Sequence, residues 1–336
     1  MDTSTTFYIE TFGCQMNERD SETISALLSQ ADMVPVMGPE EADVIILNTC
    51  AVRESAESKV WSRLGKLASL RRGDEPVFVL AGCMAQLPGT LDRVKQRVPF
   101  VSILTGPGSI HRIPELVREA KASRDRSAKS DTDSRPHRTL LTAVSPARTS
   151  AARDESTQIL PEGLPRRNIP GVTVYVSIMY GCDNFCSYCI VPYVRGPQVS
   201  RQPEDVIEEV RGLVKRGYKE VTLLGQNVNA FGLDRKIGKA GETLPDSGAS
   251  MVGGRTGVYD FAALLRDLNS VEGLHRIRYF TSHPRDFTRD MVDAAGESEK
   301  VCEHFHLPLQ SGSDRILKIM NRGYTKEEYL ALAKYI

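Results

Sequence analysis

The chain has 336 residues, 40% of them hydrophobic and 26% charged, and a formal net charge of zero. It is long enough for two domains with cores of their own, no apolar stretch approaches the ~20 residues that cross a bilayer, and MDTSTTFYIE has neither a basic start nor an apolar signal core. Residues 1–120 carry 12 Lys/Arg against 16 Asp/Glu, 121–169 carry 10 against 6, and 170–336 balance at 21 each, so no basic footprint points to RNA and only motifs can.

The N-terminal third reads as alternating strands and helices. Thr5 to Gly13 predicts a strand that ends at Cys14, and a helix follows with Ile24, Leu27, Leu28 and Ala31 at helical spacing. Asp43 to Thr49 is a nearly continuous apolar run, as in a strand covered on both faces, and ends at Cys50. A helix over Ser55 to Leu70, a strand over Pro76 to Gly82 ending at Cys83, a strand over Val101 to Thr105 and a helix around Ile113 to Ala120 complete the set. Each of the three cysteines thus stands just beyond the carboxyl end of a predicted strand. In an open parallel sheet those ends share one edge, where such sheets bind ligands. A single strand-end cysteine is more often packed core, but three at equivalent positions predict a site with three protein thiolates and one open metal position.

Residues 121–169 are rich in Ser, Arg, Asp, Thr and Pro, with one apolar patch at Leu140–Val144, and predict a disordered linker. Strand and helix then resume. An apolar run over Val172–Met179 predicts a strand, and it leads into GCDNFCSYCIVPYVRGPQVSR, where Cys182, Cys186 and Cys189 are spaced C-x3-C-x2-C. Three thiolates on one short loop can hold three irons of a cubane cluster and leave the fourth free. A structural zinc site wants a fourth ligand nearby, and the next His or Cys is His275. Asp183, Asn184 and Ser187 make the loop too polar for a set of core cysteines.

A helix over Pro203 to Arg216 and strands over Glu220–Leu224, Arg276–Phe280 and Glu303–Leu309 follow, with helices at Phe261–Leu268 and around Ile316–Met320. The strands end in Gly225-Gln226-Asn227, Thr281-Ser282-His283-Pro284 and Gln310-Ser311-Gly312-Ser313, and polar strand ends mark the active edge of a β/α barrel. Residues 232–258, with seven Gly, predict a disordered insertion, and Cys302 reads as a core residue. Arg195 and Arg201 suit a carboxylate or an RNA phosphate, with ordinary surface ion pairs as the alternative. His283, His304 and His306 show no ligand spacing.

The cysteine spacing, with Tyr188 before the last cysteine, resembles the radical S-adenosylmethionine (SAM) superfamily. More narrowly, TFGCQMNERDSE, LNTCAVRESAESK and AGCMAQ, together with GQNVNAF, TSHP and HLPLQSGSDRIL, resemble the methylthiotransferases. The wording is most similar to the tRNA 2-methylthio-N6-isopentenyladenosine (dimethylallyladenosine) synthases. The resemblance implies an α/β chain, with a flavodoxin-like parallel β/α domain over 1–120 and a radical-SAM core, a partial (β/α) barrel, over 170–336. It implies two [4Fe–4S] clusters, one on Cys182, Cys186 and Cys189 that binds and cleaves SAM, and one on Cys14, Cys50 and Cys83 that carries sulfur. By the same resemblance SAM meets Gly225 and Gln226 with its amino group and Gln310 and Ser311 with its ribose or carboxylate. Tyr188 is an adenine contact or packs beside the cluster.

The implied reaction places a methylthio group on C2 of N6-isopentenyladenosine beside the tRNA anticodon. The implied partners are that tRNA, a flavodoxin- or ferredoxin-type electron donor and a sulfur donor, for a cytoplasmic monomer with no membrane. Another tRNA adenosine, threonylcarbamoylated, a ribosomal-protein aspartate, and a non-catalytic iron–sulfur carrier are the alternatives. The family's barrel has about two further strands and then a small RNA-binding β-domain, so the sequence reads as truncated at Ile336.

Overall fold

The computed structural model describes residues 4–52, 54–71, 76–129, 140–144, 160–166, 171–234 and 259–336. The chain divides into two compact units, Met1–Asn168 with Tyr193–Arg195, and Ile169–Pro192 with Gly196–Ile336.

The first unit is built on a six-stranded parallel sheet of order β2-β1-β3-β4-β5-β6. Its strands are β1 (Thr6–Phe12), β2 (Val34–Pro35), β3 (Val44–Thr49), β4 (Val77–Gly82), β5 (Val101–Thr105) and β6 (Leu141–Ala143). β3 and β4 are buried at every position, which is why VIILNT and VFVLAG are apolar almost throughout: both faces of the sheet are covered. Helices α1 (Gln15–Gln30) and α4 (Ile113–Lys129) pack on each other and on β3 and β5 respectively. Helices α2 (Glu54–Leu67) and α3 (Thr90–Arg97) join Ile45, Leu47, Phe78, Leu80 and Leu104 in a second layer, through Val60, Leu64 and Val94. The edges are short. β2 has two residues, one of them Pro35, which has no N–H to offer a further strand.

Residues 121–169 do more than link. Helix α4 runs on through Lys129, and Leu141–Ala143 pairs in parallel with Ile103–Thr105 to become the sixth strand. The apolar patch at 140–144 is therefore a sheet edge, too short to register as a strand by alternation alone.

The second unit holds a three-stranded parallel sheet, β11-β10-β7, from β7 (Thr173–Ser177), β10 (Glu220–Leu224) and β11 (Arg276–Tyr279). Each strand lies beside the one before it, as in successive β/α units of a barrel. Helices α6 (Pro203–Lys215), α7 (Phe261–Asn269) and α8 (Arg289–Glu297) cover it, with Val206, Val210, Leu213, Leu264, Leu268 and Met291 against Val176, Val221, Leu223 and Ile277. The run Val172–Met179 is not one strand. It stops at Ser177, and β8 (Met179–Tyr180) turns aside to pair antiparallel with β9 (Val199–Ser200), just beyond the single helical turn α5 (Val191–Val194).

The strand expected over Glu303–Leu309 does not form. The chain meets β11 only at the bridge Ile277–Val301, with Ile277 N–H donating to Lys300 O at 2.7 Å and Cys302 N–H to Ile277 O at 3.0 Å. His304 N–H then bonds back to Cys302 O at 2.7 Å, which turns the backbone away, and Pro308 has no N–H for a ladder. Cys302 is half-buried rather than core. Helices α9 (Asp314–Ile319) and α10 (Lys326–Tyr335) complete the unit. Of the 232–258 insertion, all but 232–234 lies outside the described residues.

Candidate functional site

In the first unit the order of strands reverses between β1 and β3, and the crevice at such a switch point is the usual ligand site of an open α/β sheet. Cys14 follows β1, Cys50 follows β3 and Cys83 follows β4, so three distant cysteines reach one edge. Gly13 makes the approach possible: a Cβ there would lie 2.9 Å from Cys50 Cβ and 2.5 Å from Asn17 Oδ1. Gly82 has φ +91°, and a Cβ there would stand 2.4 Å from Thr49 O.

A buried amide clasp holds this edge together. Asn17 Nδ2 donates to Asn48 Oδ1 at 3.2 Å and to Thr49 O at 3.1 Å, while Asn48 Nδ2 donates to Asn17 O at 2.8 Å and to Ser21 Oγ at 2.9 Å. Asn17 Oδ1 in turn accepts from the Cys14 thiol at 3.4 Å. Both asparagines are fully buried. Sequence reasoning passed over them, although each lies within three residues of a cysteine in GCQMN and LNTC.

The three thiols are electrostatically one group. A hydrogen bond from the Cys50 thiol brings Cys14 down to about 5, with Arg195 helping. The same shared proton, followed by burial, pushes Cys50 up. Burial pushes Cys83 up as well, against the pull of Arg195. Arg195 is part of the first unit by its contacts. It donates from Nε to Cys83 Sγ at 3.2 Å and from Nη2 to Asp20 at 3.0 Å. It is thus neither a surface ion pair nor a free phosphate ligand, and Arg201 is not one either: it is bound to Ser177 O at 2.7 Å and Glu209 at 2.6 Å.

The second unit gathers its own set on the loop after β8. Gly181 has φ +67°, and a Cβ there would meet Pro197 O at 1.9 Å, so only glycine lets the loop pass under its own return. Cys182 N–H donates to Gly196 O at 3.2 Å and Cys189 N–H to Cys186 O at 2.9 Å, so backbone hydrogen bonds fix the loop at its first and last cysteines. Burial lifts Cys182 to about 12 and also raises Cys189, and neighbouring cysteine charges add to both rises.

The segment after α9 closes against this loop. Ser187 N–H donates to Met320 O at 3.1 Å, and Asn321 Nδ2 to Phe185 O at 3.0 Å. Arg322, itself buried, donates from Nη1 to Cys186 Sγ and to Tyr188 OH, both at 3.2 Å. His283 Nδ1 accepts from Arg285 N–H at 3.3 Å, which leaves the ring proton on Nε2, 3.9 Å from Cys186 Sγ. Burial and then Arg322 hold that imidazole down at about 4, so it is neutral. Neither Arg322 nor His283 carried a recognisable spacing in the sequence.

The remaining residues singled out from the sequence are placed as follows. Tyr188 is 53% exposed and joined to Cys186 through Arg322. Gly225 packs on Met179, where a Cβ would meet Cγ at 2.5 Å, and its carbonyl accepts from Thr281 Oγ1 at 2.6 Å. Gln226 Oε1, Asn227 Oδ1, Ser282 Oγ and Arg322 Nε are buried with no hydrogen-bond partner. Gln310 is exposed at φ +65°, and Ser311 Oγ accepts from Ser313 N–H at 3.2 Å. Tyr324 OH donates to Leu309 O at 2.6 Å, and its ring stands edge-on to His283 at 5.9 Å, so this turn is fastened near the cysteine loop.

Each set supplies three thiols, the donor count of a cubane with one iron left open. Among the described residues no three His, Cys, Asp or Glu side chains converge on a point that a single metal would fill. The orphaned oxygens at the strand ends fit a polar ligand whose ammonium and hydroxyl groups would satisfy them, since buried polar atoms are otherwise costly.

Residues 6–106 match the model of Uncharacterized protein family UPF0004, and residues 176–336 that of the Radical SAM superfamily. The chain is 46% identical over 328 residues to the tRNA-2-methylthio-N(6)-dimethylallyladenosine synthase of Moorella thermoacetica, covering 97% of this chain and 64% of that protein. It is 41% identical to the protein of that name from Desulforamulus reducens, covering all of this chain and 64% of the relative. The chain thus spans about two thirds of the length of these relatives. In fold it is similar to the radical SAM methyltransferase TsrM of Kitasatospora setae, at TM-score 0.56 and 14% identity, over 99% of this chain and 65% of that one.

Proposed function

We propose that the chain is a radical SAM tRNA methylthiotransferase, with residues 6–106 matching the UPF0004 model ahead of a Radical SAM match over 176–336. The reaction is insertion of a methylthio group at C2 of N6-isopentenyladenosine beside the anticodon, with two [4Fe–4S] clusters and SAM as cofactors. What carries this reading is the pair of cysteine triplets, each assembled at a strand-end edge of its own unit. The relatives that share both domains carry a tRNA methylthio synthase name.

When bound, the cofactors supply one-electron cleavage of SAM at one cluster and the sulfur atom to be inserted at the other. The chain's part is to hold and to orient. Cys182, Cys186 and Cys189 would hold the first cluster, and Cys14, Cys50 and Cys83 the second. Arg322 and His283 aim their N–H groups at Cys186 and fix its sulfur. Gln226 Oε1, an acceptor with no partner, would receive the SAM ammonium, and Gly225 keeps the backbone beside it close to Met179. Tyr188 has an exposed ring that would meet the adenine, and Gln310 and Ser311 would meet the ribose or carboxylate. No side chain is asked to act as a base, because an adenine C2–H is not acidic enough for one.

The electron comes from a flavodoxin- or ferredoxin-type donor and the sulfur from a separate donor. The protein works as a cytoplasmic monomer; no helix of the described residues is long and apolar enough to cross a membrane. Nucleoside analysis of tRNA from cells lacking the protein tests the substrate. The methylthio-isopentenyl nucleoside should vanish and its unthiolated precursor accumulate. If it persists while a methylthiated threonylcarbamoyl-adenosine or a ribosomal-protein modification disappears, the substrate assignment is wrong.

A further inference from the structure

Arg195 has a placement that cluster ligation does not require. Its side chain is 6% exposed and that of its partner Asp20 is 3% exposed. Burying such a pair is costly and a weak source of stability, so its geometry calls for another explanation. One N–H of the guanidinium goes to the carboxylate of Asp20, and Nε–H goes to the sulfur of Cys83. A neutral thiol is a poor acceptor; a thiolate is a good one. Asp20 lies on α1, the helix that Cys14 caps, so the carboxylate is carried by the element that also delivers a cysteine.

We propose that Arg195 and Asp20 set the reduction potential of the N-terminal cluster, with Arg195 as the positioning residue on the Cys83 sulfur and Asp20 holding it there. The proposal rests on the reading of Cys14, Cys50 and Cys83 as cluster ligands. Cluster potentials follow net charge and the hydrogen bonds made to sulfur. Reduction adds one electron, supplied in the test by a redox mediator, and one negative charge, with no bond made or broken. A guanidinium on a ligand sulfur stabilises that added charge, and a carboxylate behind it moderates the effect. Loss of Arg195 should therefore lower the potential and loss of the Asp20 charge should raise it.

The test is an EPR-monitored potentiometric titration of the reconstituted full chain carrying C186A, a background that leaves the N-terminal cluster to be read alone. R195Q should lower the reduced-to-oxidised ratio at a fixed poise at least tenfold, about 59 mV for a one-electron couple. D20N, nearly isosteric, should raise the ratio. R195K, which keeps the charge and loses the planar fork, should fall between R195Q and the native side chain. Unchanged midpoints in R195Q and D20N, or shifts of the same sign, overturn the proposal and leave the cluster assignment standing. Should R195Q fail to hold a cluster, D20N decides alone by the sign of its shift. Absence of any cluster from the C186A chain with Arg195 and Asp20 intact would overturn the cluster assignment together with the proposal.

Discussion

Asn48 shows how much of the N-terminal edge depends on side chains that bind nothing themselves. It donates to Asn17 O and Ser21 Oγ and accepts from Asn17 Nδ2, and both asparagines are fully buried. Asn48→Ala leaves these partners unsatisfied and should cost about 1–3 kcal/mol, read as a lower urea midpoint of the cluster-free protein. Gly82→Ala is a second case. The residue sits at φ +91° with Thr49 O where a Cβ would go, so strain and collision add, and a loss of at least about 2 kcal/mol is expected. An unchanged midpoint in either variant would remove the clasp, or the close approach, from the account. The cysteines were legible in the sequence because thiols are rare and their spacing is chemical. The asparagines and Arg322 were not, because a buried hydrogen bond between residues 31 apart, or 136 apart, leaves no local pattern.

At the scale of elements, legibility follows burial. β3 and β4, covered on both faces, are continuous apolar runs, and their ends were readable to within a residue. β2, β6 and the bridge at Val301 are short, edge-placed or both, and hydrogen bonding to a neighbour defines them more than side-chain pattern does. The same contrast predicts stability. Leu47 is fully buried in the central strand between sheet and α2, and Leu47→Ala should cost about 2–5 kcal/mol. Denaturant titration of the two variants checks this: Leu141→Ala on the edge strand, where the side chain is only partly buried, should lose less. Equal losses would contradict the layered core.

Across the whole molecule, each unit holds one cysteine triplet, so the two losses of function should be separable. Cys186→Ala removes one of the three thiols proposed to hold the SAM-cleaving cluster, and deoxyadenosine formation should stop. Cys50→Ala should spare that cleavage and abolish sulfur insertion, provided that loss of the N-terminal cluster does not unfold the unit that holds it. If Cys50→Ala eliminates deoxyadenosine formation in a chain that still folds and keeps its other cluster, this division of labour is wrong. The parallel β/α character of the first unit and the β/α repeat of the second were readable from strand ends, whereas the flavodoxin-like class of the first came from the family resemblance. The sixth strand and the missing fourth barrel strand were not, since both turn on backbone pairing.

Two clusters on six named cysteines give the chain a definite iron and sulfide content, which chemical analysis after anaerobic reconstitution measures. The expected result is about eight irons and eight sulfides per chain, falling by half in Cys50→Ala and by half in Cys186→Ala, with Cys14, Cys50 and Cys83 protected from alkylation in the loaded protein. About four irons per chain, with those three thiols freely alkylated, would contradict it.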